Sequence, residues 1–228
     1  MTPEPARVVI VAAQNEVERI GAALDALSTA FAGSRLMVAD DASTDGTQAE
    51  AMRHGAWLVS RRRPHGKGGN VTATAEAAIG EFPDDATVLL CDADLGESAG
   101  ELVPLVKAVE AGRCDLAVAR FANPEGGGFG FTFGYARNAV ERLCGARFEA
   151  PLSGQRAMRV ATLRELIPFA DGWGLETGMT IDAVRAGKRV EEIELPLGHR
   201  VSGRTPAGFL HRGRQLRDIR RALRARAG

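Results

Sequence analysis

The segment ATVLLCDADLG, residues 86–96, joins an unbroken apolar run to two aspartates, Asp92 and Asp94. The run lacks polar alternation, which is typical of a strand buried on both faces of a parallel sheet. Carboxylates crowded at the end of such a strand are costly unless a cation or hydrogen-bond donors neutralise them. Oxygen ligands suit Mg²⁺ or Mn²⁺. The segment therefore predicts a metal site at Asp92 and Asp94, the alternative being that one of them only caps the next helix.

Similar apolar runs occur along the rest of the chain, separated by segments with helical periodicity. One such segment repeats apolar residues at Val17, Ile20, Leu24, Leu27 and Phe31, as a helix with one buried face does. This alternation predicts an α/β fold with a single doubly wound, Rossmann-like, mostly parallel sheet flanked by helices. The predicted strands are 7–13, 35–40, 56–60, 86–92 and 114–120, and a predicted helix at 98–111 joins the last two.

Polar residues follow several of these strands, at the edge of the sheet where ligands of such folds bind. Residues 14–16 follow the first strand, and Asp40 and Asp41 end the second. Together with residues 92–94 they predict one acidic binding site.

The charge of the chain is balanced overall but uneven along its length. The 228 residues carry no formal net charge, yet residues 199–228 hold nine arginines against one acid, Asp218. The balance argues against nucleic acid as a partner. The basic end predicts a division into a domain at 1–208 and a basic C-terminal helix or tail at 209–228. This tail would contact an anionic membrane or lie as a solvated helix on the domain.

The absence of a signal-peptide pattern and of an apolar run of about 20 residues predicts a cytoplasmic protein. The three cysteines, far apart and odd in number, predict reduced thiols. Any membrane association would then be peripheral, at the inner face.

Two nucleotide-binding classes are disfavoured by the residues after the first strand. A dinucleotide fold needs a glycine-rich turn there, whereas the chain has AAQNEVER at 12–19. A phosphate-binding P-loop needs Ser or Thr directly after its lysine, whereas Gly68 follows Lys67.

Five motifs in order resemble the family 2 nucleotide-sugar glycosyltransferases with the GT-A fold, among them the polyprenyl- and dolichyl-phosphate sugar synthases. The motifs are VVIVAAQNEVERI (8–20), VADDASTDGT (38–47), GKGGNVTATAEA (66–77), LLCDADLG (89–96) and LSGQRAMR (152–159). The resemblance covers roughly residues 7–200. It departs from those synthases at Gly96 and at Gln155, where they usually have a glutamine and an aromatic residue.

The resemblance implies a role for individual residues. Arg156, near the donor sugar or acceptor, and Asp92 would be catalytic, and His199 would be a third metal ligand beside Asp92 and Asp94. Arg200 and Arg204 would pair with the diphosphate or with an acceptor phosphate. The nucleotide-sugar site would comprise Ala12, Asn15, Glu16, Asp41, Lys67, Asp92 and Gly154.

Two further segments suggest catalytic parts. Glu176, near the start of a predicted helix, is a candidate general base, with Asp182 a second; the alternative is that Glu176 only complements the helix dipole. Residues 123–138 combine three consecutive glycines with four aromatic residues, which predicts a mobile lid or a plain connector.

These features predict a metal-dependent enzyme that moves a hexose from a UDP- or GDP-sugar to a polyprenyl phosphate, with inversion. An alternative is a retaining transfer to a small soluble acceptor, because residues 172–200 also resemble glucosyl-3-phosphoglycerate synthases. Two other classes remain, a nucleotidyltransferase and a non-catalytic sugar-nucleotide binding module.

Overall fold

The computed structural model describes residues 6–122, 130–198 and 206–227 as one α/β domain. Its strands are β1 (Arg7–Ala13), β2 (Arg35–Asp40), β3 (Trp57–Ser60), β4 (Thr87–Asp92), β5 (Leu116–Phe121), β6 (Arg156–Arg159) and β7 (Val190–Leu195). Its helices are α1 (Val17–Ala30), α2 (Thr47–Arg53), α3 (Gly66–Glu81), α4 (Val103–Glu110), α5 (Gly130–Cys144), α6 (Val160–Leu166), α7 (Leu175–Arg185) and α8 (Pro206–Ala225).

The strands form one sheet in the order β3-β2-β1-β4-β6-β5-β7. Every pair is parallel except the two pairs that β6 makes, with β4 and with β5. The predicted fold class, a mostly parallel doubly wound sheet flanked by helices, is confirmed. Because β1 pairs in parallel with β2 and β4, Ala12 lies beside both Ala39 and Asp92, and the acids that follow these strands meet at one edge.

The central strands are buried on both faces, as their unbroken apolar runs predict. Val9 and Val11 of β1 belong to a core shared with α1 and α4, whereas Val8 and Ile10 belong to a core shared with α3 and α6. Burying a side chain of this size contributes about 1.5 to 3 kcal/mol. The two cores therefore hold the strand ends, and the site built on them, in fixed positions.

The structure differs from the local predictions at three points. Residues 98–111 were expected to form one helix, but the 3₁₀ segment Ala93–Leu102 precedes α4, since Gly96 has φ +52° and Pro104 lies in the first turn of α4. The loop expected at 123–138 is helical from Gly130 onward, so only residues 123–129 of the expected lid lie outside the described residues. Strand β6 was not predicted, because four residues are too few to show a period.

Helix α8 packs onto the domain beside α7 and the 3₁₀ turn Gly172–Gly174. Its Ile219 and Leu223 are buried against α5 and α7, and Nε of Arg226 donates to Asp182 on α7 at 2.7 Å. The predicted boundary at residue 208 falls inside α8, which begins at Pro206. The division into a domain and a C-terminal tail stays a prediction. Within the described ranges, no helix is both long and apolar enough to cross a membrane.

Candidate active site

A cavity of about 340 Å³ opens at the carboxyl ends of β1, β2 and β4. The parallel register explains its position, because each of these strands delivers a polar segment to the same edge of the sheet. Its size falls in the range of small-molecule sites. Six residues predicted from the sequence line it, namely Ala12, Glu16, Asp41, Lys67, Asp92 and Asp94.

Asp41 is fixed by the loop that follows β3. Its Oδ1 accepts the backbone N–H of His65 at 2.7 Å, and its Oδ2 accepts that of Gly66 at 3.0 Å. The Nε2 atom of Gln14 donates to Oδ2 at 3.3 Å. Asp41 therefore holds the start of α3, and with it Lys67, against the ends of β1 and β2.

Lys67 lies between two carboxylates that come from distant parts of the chain. Its Nζ is 2.6 Å from Oδ1 of Asp92 and 2.7 Å from Oε1 of Glu176. Burial alone would lower the pKa of Lys67, but the charges of Asp92 and Glu176 outweigh that effect and raise it. Lys67 is therefore a permanent positive charge in the wall of the cavity.

Asp92 is held from a second side by the segment that precedes β6. Nε2 of Gln155 donates to Oδ2 of Asp92 at 3.1 Å, and the side-chain Oε1 of Gln155 accepts from Ser153 Oγ at 3.1 Å. A Cβ on Gly154 would collide with Oδ2 of Asp92 and with Nζ of Lys67. Gly154 is therefore placed where only a residue without a side chain leaves the Lys67–Asp92 pair intact.

The acids that end β4 suit a divalent cation in their chemistry and position. Asp92 and Asp94 are hard oxygen donors that border the cavity, and Mg²⁺ typically takes one or two carboxylates plus substrate phosphates and water. Across residues 6–122, 130–198 and 206–227, no group of three or more His, Cys, Asp or Glu side chains could hold a metal ion. The pair therefore fits a cation that a bound ligand helps to hold.

Two residues predicted as catalytic are buried instead of lining the cavity. Glu176 is 2% exposed, and Arg156 is fully buried. The Arg156 guanidinium donates to the carbonyl oxygen of Ser153 at 2.9 Å and to Thr180 Oγ1 at 2.9 Å. Burial lowers its pKa to about 10, although the nearby Glu176 and Glu192 carboxylates act in the opposite direction. In this position Arg156 fixes the segment that carries Gly154 and does not reach the cavity.

Asn15 also has a structural position, outside the cavity lining. Its backbone has φ +56°, its N–H donates to Ser43 Oγ at 2.9 Å, and its Oδ1 accepts from the N–H of Thr44 at 2.9 Å. Asn15 thus ties the loop after β1 to the loop after β2. The predicted ligand His199 and the predicted phosphate-binding Arg200 and Arg204 lie outside the described residues.

Among the polar and aromatic side chains that line the cavity, those of Asn70, Trp173 and Asp218 were not predicted from the sequence. Asn70 lies one helical turn after Lys67 on α3, so the i, i+3 spacing could have indicated it. Trp173 and Asp218 carry no such signal. They reach the cavity because α8 packs against the turn at residues 172–174, where a Cβ on Gly174 would collide with Ala222.

The family model described as glycosyl transferase family 2 matches residues 8–174 of the chain. An uncharacterised glycosyltransferase of Mycobacterium tuberculosis is 31% identical over 210 residues, which cover 90% of this chain and 91% of that protein. The glucosyl-3-phosphoglycerate synthase of Mycolicibacterium paratuberculosis is 32% identical over 202 residues, covering 76% of this chain and 58% of that protein. The undecaprenyl-phosphate mannosyltransferase of Micrococcus luteus is 27% identical, covering 86% and 85%.

Solved structures of glucosyl-3-phosphoglycerate synthase from Mycobacterium tuberculosis have the same fold. The complex with Mg²⁺ and UDP aligns with a TM-score of 0.81 at 27% identity, over 99% of this chain and 80% of that one. The complex with Mn²⁺, UDP-glucose and phosphoglyceric acid aligns with a TM-score of 0.78 at 26% identity, over 98% and 80%.

Proposed function

The chain belongs to glycosyl transferase family 2 and has the GT-A fold, and from this membership we propose that it transfers a hexose from a UDP-sugar to a small phosphorylated acceptor. The observation that carries the proposal is the Asp92–Asp94 pair beside a cavity at the strand ends. Solved relatives with this fold contain Mg²⁺ or Mn²⁺ together with UDP. The donor is therefore proposed to be UDP-glucose or a close analogue.

Asp92 and Asp94 would hold the divalent cation, Mg²⁺ or Mn²⁺. A cation at that position supplies stabilisation of the negative charge that grows on the departing nucleoside diphosphate. The remaining work belongs to side chains of the chain itself. Lys67 adds a second positive charge at the same wall and holds Asp92 in place.

Glu176 is proposed to position Lys67 instead of acting as a general base. A base must reach the proton that it removes, whereas Glu176 is buried behind Lys67 and accepts a hydrogen bond from its Nζ at 2.7 Å. A route that depends on Glu176 to deprotonate an acceptor hydroxyl, as an inverting transfer with this base would, is therefore disfavoured.

The acceptor is proposed to be a phosphoglycerate-like acid, which was the alternative expectation from the sequence. Relatives in both comparisons carry the name glucosyl-3-phosphoglycerate synthase. A polyprenyl phosphate is the second candidate, supported by the similarity to an undecaprenyl-phosphate mannosyltransferase and by the exposed arginines of α8. The same arginines support a proposal of peripheral contact with an anionic membrane.

The test is a transfer assay by mass spectrometry with UDP-glucose, Mn²⁺ and either 3-phosphoglycerate or a short polyprenyl phosphate. We expect a glucosylated phosphoglycerate that disappears with EDTA and in Asp94→Asn. The control is Asp84→Asn, which changes a surface carboxylate paired with Arg164 and should keep full activity. Transfer to the lipid phosphate alone would replace the acceptor proposal, and full activity of Asp94→Asn would remove the metal site.

A further inference from the structure

Asn70 is a buried polar side chain in the cavity wall that the proposed chemistry leaves unused. It is 1% exposed and lines the cavity. Among the residues that the structure describes, neither its Nδ2 nor its Oδ1 has a hydrogen-bond partner. Such groups are rare in native proteins, because burying an amide without partners lowers stability. An unpaired amide at the wall of a binding cavity indicates a ligand that completes its hydrogen bonds.

Other polar side chains of the same wall are already engaged. Asp41 accepts from His65 and Gly66, and Lys67 pairs with Asp92. Asn70 therefore offers the cavity a donor and an acceptor side by side that no protein group occupies within the described part of the chain.

The surroundings of Asn70 suit a flat, apolar ring with a polar edge. Ala12, Ala13 and Ala39, at the ends of β1 and β2, line the same cavity. These small side chains leave space for a planar base. The acids Asp92 and Asp94 lie on β4 and the turn that follows it, whereas Ala39 lies on β2. In the strand order β2-β1-β4, β1 therefore separates Ala39 from Asp92 and Asp94, while Asp41 follows Ala39 on β2.

We propose that Asn70 recognises the nucleobase of the donor by two hydrogen bonds to the edge of uracil. The base donates its N3–H to Oδ1 of Asn70, and a neighbouring carbonyl oxygen accepts from Nδ2. A side-chain amide matches this edge, since it presents one acceptor and one donor in a plane. The inference rests on the proposed function, because it assigns the base of the proposed UDP-sugar.

The first test compares stability and binding in Asn70→Leu, which removes the polar atoms and keeps a similar volume. We expect the Tm of the ligand-free protein to rise by about 2 to 4 °C, because an unpaired buried amide is gone. Calorimetry should show UDP binding weakened ~10-fold or more, since both base atoms lose their partners. Binding of inorganic diphosphate with Mn²⁺ should be unchanged.

The control variant is Thr74→Val, one turn further along α3. Thr74 is fully buried, and its Oγ1 donates to the backbone oxygen of Asn70 at 3.0 Å. This variant should leave UDP binding unchanged and should not raise the Tm. A purely structural Asn70 would behave like Thr74, so a lower Tm with unchanged UDP binding in Asn70→Leu overturns the proposal.

The second test is a cycle between Asn70→Ala and 3-methyl-UDP, which lacks the N3–H donor. The methyl group should weaken binding to the native protein ~10-fold or more and have little effect on Asn70→Ala, where the shortened side chain leaves room for it. Equal losses in both proteins would place Asn70 away from the base. If the native protein binds diphosphate but no uridine nucleotide, the proposed UDP-sugar donor is wrong. If UDP binds tightly and substitution of Asn70 does not change its affinity, only the role of Asn70 is wrong.

Discussion

Nζ of Lys67 lies 2.6 Å from Oδ1 of Asp92, so a carboxylate proposed to hold a cation is already paired with a cationic side chain. Glu176 approaches the same ammonium group from α7 at 2.7 Å. This partly buried group of three charges links the α3 helix, the end of β4 and α7. It gives Lys67 a structural role in addition to its proposed functional one.

Removing the charge of Lys67 should destabilise the fold. In Lys67→Met the carboxylates of Asp92 and Glu176 lose their shared counter-charge. Breaking a fully buried pair costs about 3 to 5 kcal/mol, and the partial exposure of Lys67 and Asp92 should make the loss smaller. Urea denaturation should show that loss, and the double variant with Glu176→Gln should recover part of it. Lys188→Met, which breaks a surface pair with Glu165, should cost less than about 1 kcal/mol.

The pH dependence of this effect follows from the direction of the pKa shift. The pKa of Lys67 is raised in the folded state, so its contribution is fully present below the pKa of an unfolded lysine and is lost as the pH rises through the folded value. The stability difference between the native protein and Lys67→Met should therefore be constant through the neutral range. A difference that shrinks as the pH rises from neutral toward the unfolded lysine pKa would contradict the assignment.

Gly68 should tolerate no side chain, because α3 passes directly against the segment before the 3₁₀ turn at 172–174. A Cβ on Gly68 would collide with the backbone carbonyl oxygen of Ala170, and forcing such overpacking costs about 1 to 3 kcal/mol. Gly80 lies on the same helix with open space around it. Gly80→Ala should therefore be neutral or raise the free energy of unfolding by about 0.5 to 1 kcal/mol. Equal free energies of unfolding for Gly68→Ala and Gly80→Ala in denaturant would refute the close contact at Gly68.

Gly154→Ala should lower activity while leaving the fold intact. The added methyl group would push Asp92 and Lys67 apart, and these are side-chain ends that can move without disturbing the core. We expect the rate of the transfer reaction to fall by about 10-fold or more, since small misplacements of positioning groups have effects of this size. Circular dichroism should be unchanged. If Gly154→Ala kept the activity of the native protein, the transfer reaction would not require the observed geometry of the Lys67–Asp92 pair.

The three thiols should differ in reactivity. Burial raises the pKa of Cys91, next to Asp92, and raises that of Cys114 to about 11, whereas Cys144 is partly exposed. Since the thiolate is the reactive form, alkylation of the folded protein at neutral pH should modify Cys144 first, and unfolding should expose all three. Because a raised thiol pKa favours the protonated folded state, stability should fall as the pH rises above the ordinary thiol pKa. Fast labelling of Cys91 in the folded state would contradict its burial.

The exposed arginines of α8 should bind anionic vesicles if the proposed membrane contact exists. Arg217 and Arg221 are 74% and 79% exposed, and each cation near an anionic surface contributes about 1 kcal/mol. Reversing the charge of Arg217 and Arg221 should strongly weaken co-sedimentation with phosphatidylserine vesicles at low salt. Reversing Arg62 and Arg63, exposed on the loop before α3, is the matched control. Equal loss in both variants, or none in either, would remove the specific role of α8.

Local patterns in the chain were enough to predict most of the sheet and the edge at which its acids meet. Unbroken apolar runs identified β1, β2 and β4, because a strand buried on both faces has no polar position. The acids that end β2 and β4 could be placed at one edge of the sheet because parallel strands run in the same direction. The motif order from residue 8 to residue 159 was sufficient to identify the family.

Contacts between distant segments depended on the packed structure. Lys67 and Glu176 are 109 residues apart, and strand β6 runs antiparallel between β4 and β5. Helix α8 places Asp218 in a cavity lined mainly by residues from the first half of the chain. The periodicity of the sequence does not predict these long-range contacts, because they depend on how whole helices and strands pack against one another. Because of that packing, Glu176 and Arg156, which were expected to be catalytic, are buried and stabilise neighbouring segments instead. The same packing places Asn70 in the wall of the cavity.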